Sequence, residues 1–169
     1  VLASDIRYLE NATVSIALPG GATGNVSIFI DGVFVGNVTL NENGVGTLFD
    51  ISGLDGGWHE VNVTYEGNEL YAPKDKNGTM MFVNSTDNYD ITIRVDENIY
   101  GQNTTFHITL PRDILLDNVT LTIENQTYTV NLTAGKGNLT LNNISAGMHR
   151  VFVKYDGSRR YSEKSDSEA

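Results

Sequence analysis

No cysteine occurs in the 169 residues, which excludes a disulfide scaffold, a thiol nucleophile and a cysteine-based metal centre. Basic side chains are scarce, 11 Lys plus Arg against 21 Asp plus Glu, giving a net charge of -10 and a pI near 4.5. A nucleic-acid binder needs a basic face to meet phosphates, so no nucleic-acid partner is expected. No stretch approaches the 18 or more consecutive apolar residues of a membrane span. The chain opens at Val1 with neither a methionine nor a charged-then-apolar leader, and is read as an excerpt of a longer precursor. What is present suffices for a core: 40% of residues are hydrophobic, at a length that fits one large domain or two small ones.

The chain repeats once. GWHEVNVTYEGNELYAPK, from Gly57 to Lys74, matches GMHRVFVKYDGSRRYSEK, from Gly147 to Lys164. At one offset of 90, Gly57, His59, Val61, Val63, Tyr65, Gly67 and Tyr71 meet Gly147, His149, Val151, Val153, Tyr155, Gly157 and Tyr161. Upstream, Leu18-Pro19 matches Leu110-Pro111, and Asn25 to Asp31 matches Asn118 to Glu124, with small shifts that read as loop insertions. Two units follow, residues 1–86 and 87–169, joined by the short polar stretch Ser85 to Tyr89.

Within each unit the apolar period is two, and no ten-residue stretch keeps a helical period. Val14, Ile16 and Leu18 alternate with polar or small residues, as do His59, Val61, Val63 and Tyr65, so one face of each strand is core and the other solvent. Asp31-Gly32 is a two-residue hairpin signal, matched in the second unit by Glu124-Asn125, and Asn43-Gly44 marks the next turn. Strands are expected over residues 6–9, 12–18, 26–30, 34–40, 47–51, 59–65 and 79–83. The fold class is all-β, two tandem immunoglobulin-like sandwiches, the second lacking its last strand because nothing after Lys164 repeats residues 79–83. A sheet short of one strand leaves an edge that invites pairing.

The Gly-x-His-x-Val-x-Val-x-Tyr-x-Gly stretch with its following Tyr resembles bacterial-type immunoglobulin-like tandem repeats of the adhesin-like surface proteins of methanogenic archaea. The likeness spans about residues 11–164 and departs where Asn68 and Ser158 stand at a position usually Asp. It implies a non-catalytic, extracellular, cell-surface role as stalk or in adhesion. It also implies neighbouring repeats in the parent chain as partners, and a host or microbial surface glycan or protein as a further one. The alternative reading is a carbohydrate- or protein-binding module that uses loops at one end of a sandwich.

Twelve Asn-x-Ser/Thr sequons occur, at Asn11, Asn25, Asn37, Asn62, Asn77, Asn84, Asn103, Asn118, Asn125, Asn131, Asn138 and Asn143. Random placement of 18 Asn and 27 Ser plus Thr gives roughly three. A polar outer strand face explains Thr but not Asn, which strands disfavour, so glycosylation in a secreted context accounts for the excess better. His59, Tyr65, His149 and Tyr155 are read as structural, the histidines hydrogen-bonded at the mouth of each sandwich. His107 has the parity of a solvent-facing residue. Trp58, at the repeat position of Met148, is read as turn packing rather than a sugar platform. Asp87, Asp90, Asp96 and Glu97 near the junction form an oxygen-rich patch; a solvated acidic linker is favoured over an interdomain Ca²⁺. No nucleophile elbow, phosphate loop or His-Glu-x-x-His stretch appears, so neither enzyme activity nor a cofactor is expected.

Overall fold

The computed structural model describes residues 1–96, 103–142 and 149–168, and the chain divides into two compact units, Val1–Thr86 and Asp87–Ala169. The described residues form strands and turns, with no helix. In the first unit β1 (Leu2–Ala3), β3 (Ala12–Ala17) and β6 (Val45–Ile51) make one sheet in the order β1-β3-β6. The other sheet runs β2-β8-β7-β4-β5, from β2 (Ile6–Arg7), β4 (Gly24–Ile30), β5 (Val33–Leu40), β7 (Gly57–Tyr65) and β8 (Lys74–Asn84). Neighbours are antiparallel except β2, which lies parallel to β8 with Ile6 opposite Val83 and Arg7 opposite Asn84.

Period-two patterning places the core between the sheets. Val14 and Ile16 on β3 face Val26, Ile28, Val61, Val63, Tyr65, Met81 and Val83 of the other sheet, all buried. Each such aliphatic side chain contributes about 1.5–3 kcal/mol by leaving water. At the β4–β5 hairpin, Asp31 and Gly32 both have positive φ (52° and 80°), as a primed two-residue turn requires.

The second unit repeats this plan with β9 (Thr92–Val95), β10 (Thr104–Thr109), β11 (Leu116–Ile123), β12 (Gln126–Thr133), β13 (Lys136–Leu141), β14 (Val151–Tyr155) and β15 (Lys164–Glu168). Here the strands join into one seven-stranded sheet, β15-β14-β11-β12-β13-β10-β9. The cause is a shortened connection. Asn41–Gly44 separate β5 from β6, whereas only Ala134-Gly135, at φ 49° and 76°, separate β12 from β13, so Thr133 pairs directly with Lys136.

Two expectations need correction. The last strand of the first unit begins at Lys74 rather than at residue 79, with Tyr65 opposite Lys74 and Thr64 opposite Asp75. The second unit does not lack its last strand: β15 pairs with β14 in the same register, Tyr155 opposite Lys164. It spans five residues against eleven and corresponds to residues 74–78 of the first unit. Both Lys-led segments escape notice for one reason. Residues 74–78 are exposed throughout and carry no apolar alternation, so backbone pairing rather than burial makes them strands.

Gly44 and Gly135 hold the equivalent turns after β5 and β12. The Leu18 amide donates to the Gly44 carbonyl (2.8 Å) and the Leu110 amide to the Gly135 carbonyl (2.7 Å). A Cβ on Gly44 would lie 2.4 and 2.5 Å from the Leu18 and Pro19 carbonyl oxygens, while Gly32, at nearly the same φ, has open space around it. Gly32→Ala should therefore cost about 1 kcal/mol, the left-handed penalty alone, and Gly44→Ala at least about 2 kcal/mol more through the added clash. Urea unfolding of the two variants measures the difference, and equal losses would remove the packing role assigned to Gly44.

Candidate functional site

The hairpin carboxylate and the strand histidine meet in both units. His59 enters β7 on the core side and is buried; its Nδ1 lies 2.5 Å from Asp31 Oδ2 and its Nε2 2.7 Å from the Asp55 carbonyl. Asp31 Oδ1 accepts from the Glu60 amide (3.0 Å), and the Asp31 amide donates to the Glu60 carbonyl (2.9 Å). Both ring nitrogens face acceptors, which suits the doubly protonated imidazolium. Burial works against that charge, but the Asp55 carbonyl and the Asp31 carboxylate outweigh it and hold the imidazole above its ordinary 6.5. Burial likewise opposes ionisation of Asp31, yet the Glu60 amide and His59 bring its carboxyl below the usual 3.8. In the second unit His149 Nδ1 lies 3.2 Å from Glu124 Oε1 at the equivalent hairpin. The two histidines thus fasten the hairpin tip to the adjoining strand.

Tyr65 and Tyr155 fasten the opposite ends of the same strands. Tyr65 Oη donates to the Thr23 carbonyl and Tyr155 Oη to Asp117 Oδ2, both at 2.8 Å. Beyond them, Asn68 Oδ1 accepts from the Leu70 and Tyr71 amides, and Ser158 Oγ accepts from the Arg160 and Tyr161 amides. These contacts give the side chains at positions 68 and 158 the same role. The turn needs an acceptor oxygen for the following amides, and Asn or Ser supplies it as Asp would.

The second unit adds Tyr89, whose ring packs edge-on against Tyr155 and Tyr161 and whose hydroxyl donates to the Ser162 carbonyl (2.5 Å). Burial pushes this phenol up to about 12. Tyr89 is therefore core rather than linker. Lys164 Nζ donates to the carbonyls of Tyr89 and Asp87. Of the acidic residues near the junction, Asp96 bonds His107 Nε2 (3.1 Å) and Arg94 (2.9 Å), and Glu97 lies outside the described residues. His107 is half-buried in that contact. Among the described residues no group of three or more His, Asp or Glu is placed to hold a metal ion, and no helix is long and apolar enough to cross a membrane.

The sequon asparagines lie on the surface. Asn11, Asn25, Asn37, Asn77, Asn84, Asn103, Asn118, Asn125, Asn131 and Asn138 are exposed, Asn62 is half-buried, and Asn143 lies outside the described residues. Several also bond across strands. Ser27 Oγ donates to Asn37 Oδ1 (3.0 Å) and Thr39 Oγ1 to Asn25 Oδ1 (2.9 Å), so two sequons on neighbouring strands interlock. Asn62 Oδ1 accepts from the Gly78 amide (2.9 Å) at an irregularity between β7 and β8. These bonds use Oδ1 and not Nδ2, the atom that carries an N-glycan.

Sequence reasoning missed the outer face of the first unit's five-stranded sheet. Trp58 is not packed into a turn: it is 67% exposed, directly opposite Phe82, with ring centroids 4.9 Å apart. Phe29 and Phe34 form a second edge-on pair at 5.7 Å. The available signal was aromatic residues at positions of polar parity, where the second unit has Thr122 and Thr127 in place of Phe29 and Phe34.

No family profile and no curated protein matches the chain. Among solved structures it is similar to the amphioxus IgVJ-C2 molecule, at 14% identity and a TM-score of 0.56, covering 96% of this chain and 97% of that one. It also aligns with β-glucuronidases of Bacteroides uniformis (12% identity, TM-score 0.34) and Parabacteroides merdae (10%, 0.36), over 98% of this chain but only 23% and 22% of theirs. The fold is immunoglobulin-like.

The His59–Asp31 pair sets a pH window. With its pKa raised, His59 contributes stability that is complete below pH 6.5 and is lost as pH rises through the folded-state value. With its pKa lowered, Asp31 contributes stability that is present above pH 3.8 and is lost as pH falls through its folded-state value. Denaturant midpoints of the first unit should therefore fall between pH 6 and pH 9. His59→Gln should flatten that decline, and parallel slopes in both proteins would contradict the assignment.

Proposed function

We propose that the chain is a non-catalytic, glycosylated segment of a cell-surface adhesin-like protein, acting as stalk or spacer between neighbouring immunoglobulin-like repeats outside an archaeal cell. The observation that supports it most is the outward placement of the sequon asparagines: none of the eleven described is buried, and ten are exposed. Chemistry-bearing side chains serve structure instead. His59, His149 and His107 each pair with a carboxylate, and the tyrosines of both repeats bond loop acceptors. Strands of six to nine residues span about 20–30 Å, so each sandwich adds a few nanometres of reach. Without a disulfide, stiffness rests on the apolar core and these polar fastenings.

One feature favours the binding-module reading for the second unit. Leu115 and Leu116, 68% and 81% exposed, lead into and begin β11 beside the Ser158–Tyr161 turn, where Arg160 donates to the Asp113 carbonyl (3.2 Å). The first unit has no matching apolar pair, since Thr23 stands at the position of Leu116.

Secreted from an N-glycosylating archaeal host, the chain should have a mass well above 18.5 kDa and should bind nothing on a glycan and whole-cell panel. An unmodified mass with saturable binding that Leu116→Asp abolishes would replace the stalk reading with the binding one.

A further inference from the structure

The pair formed by exposed Trp58 and half-buried Phe82 lies next to a sequon. Phe82 and Asn84 are two residues apart on β8, so they share the outer face about 6.8 Å apart along the strand. Met81 and Val83, between and beside them, point into the core. Across the sheet, Trp58 stands opposite Phe82 and Gly57, where β7 begins, opposite Val83. On the other side β2 places Arg7 opposite Asn84. The outcome is an open shelf: an asparagine at one end, the start of β7 beside it, and two tilted rings in contact forming the far wall. Of the eleven other sequon asparagines, none has an aromatic residue two positions before it.

We propose that Asn84 carries an N-linked glycan whose first sugar lies on the Trp58 and Phe82 rings. This deepens the glycoprotein reading and rests on it. The faces of aromatic rings are electron-rich and attract the polarised C–H groups on the apolar face of a pyranose. A sugar tethered at Asn84 meets the rings at a high effective concentration, so stacking that would be weak for a free sugar becomes favourable. Stacking also covers the one tryptophan of the chain, which the protein itself leaves two-thirds exposed. In the transfer step Asn84 Nδ2 attacks the anomeric carbon of a lipid-diphosphate-linked oligosaccharide. A C–N bond forms, the C–O bond to the lipid diphosphate breaks, and the Nδ2 proton leaves to the transferase. One N–H remains on Nδ2, enough to keep the hydrogen bond to the Ile6 carbonyl (3.4 Å). Thr86, the sequon hydroxyl, is buried in the folded unit, so transfer precedes folding of this segment.

Because Trp58 is the only tryptophan, its emission reports on the shelf alone. The full chain, its Asn84→Gln variant and its Asn37→Gln variant are secreted from the same N-glycosylating host. Site occupancy is read by glycopeptide mass spectrometry and Trp58 accessibility by acrylamide quenching. With Asn84 occupied, quenching should be about twofold slower than in Asn84→Gln, and Asn37→Gln should match the unaltered chain. Occupied Asn84 with equal quenching in all three would overturn the stacking. Glycans elsewhere with Asn84 bare would overturn the assignment to this site and leave the glycoprotein reading standing. No glycan at any sequon would remove both.

Discussion

The bond between an imidazole and a hairpin carboxylate is the contact on which the rest of each unit depends. Strand pairing alone leaves a primed two-residue turn projecting into solvent, and nothing in a cysteine-free chain can tie it down covalently. Asp31 resolves this by bonding the His59 ring and the Glu60 amide at once, while the second nitrogen of the ring reaches the Asp55 carbonyl. Hairpin, strand and the loop before the strand are thereby held at one point. The second unit reaches a comparable arrangement with the longer Glu124, at 3.2 Å from His149. That two different carboxylates serve the same histidine position indicates that charge and reach matter more than the identity of the side chain.

The opposite end of each β7-type strand is held with neutral donors. Tyr65 and Tyr155 reach across to different acceptors, a backbone carbonyl in one case and a carboxylate in the other, and the Asn68 and Ser158 turns close the loop beyond. Every buried side-chain nitrogen and oxygen among the described residues has a hydrogen-bond partner. The polar groups inside each unit are thus committed to holding the fold.

The two units also show how small changes in connection length redistribute pairing. With two residues in the turn rather than four, one pair, Thr133 with Lys136, joins the two sheets, while the core positions correspond: Val14, Val26, Val61 and Tyr65 match Phe106, Val119, Val151 and Tyr155. Burial sets the architecture, and the turn sets whether the sheets are stitched together along one edge.

Alternation of apolar residues, the Asp31-Gly32 and Glu124-Asn125 turns and the 90-residue repeat determine the strands, the hairpins and the two-unit plan from sequence alone, because each is encoded by neighbours within a few positions. The polar strands at Lys74 and Lys164 were not legible, since their pairing partners lie elsewhere in the chain and their own side chains carry no apolar alternation. His59 could be read as structural from its repeat position, but its carboxylate partner, 28 residues earlier, appears only when the hairpin folds against β7. Trp58, Phe82 and Asn84 come together for the same reason. Local sequence decides which face a residue takes; only strand register, a long-range property, decides which residues share that face side by side.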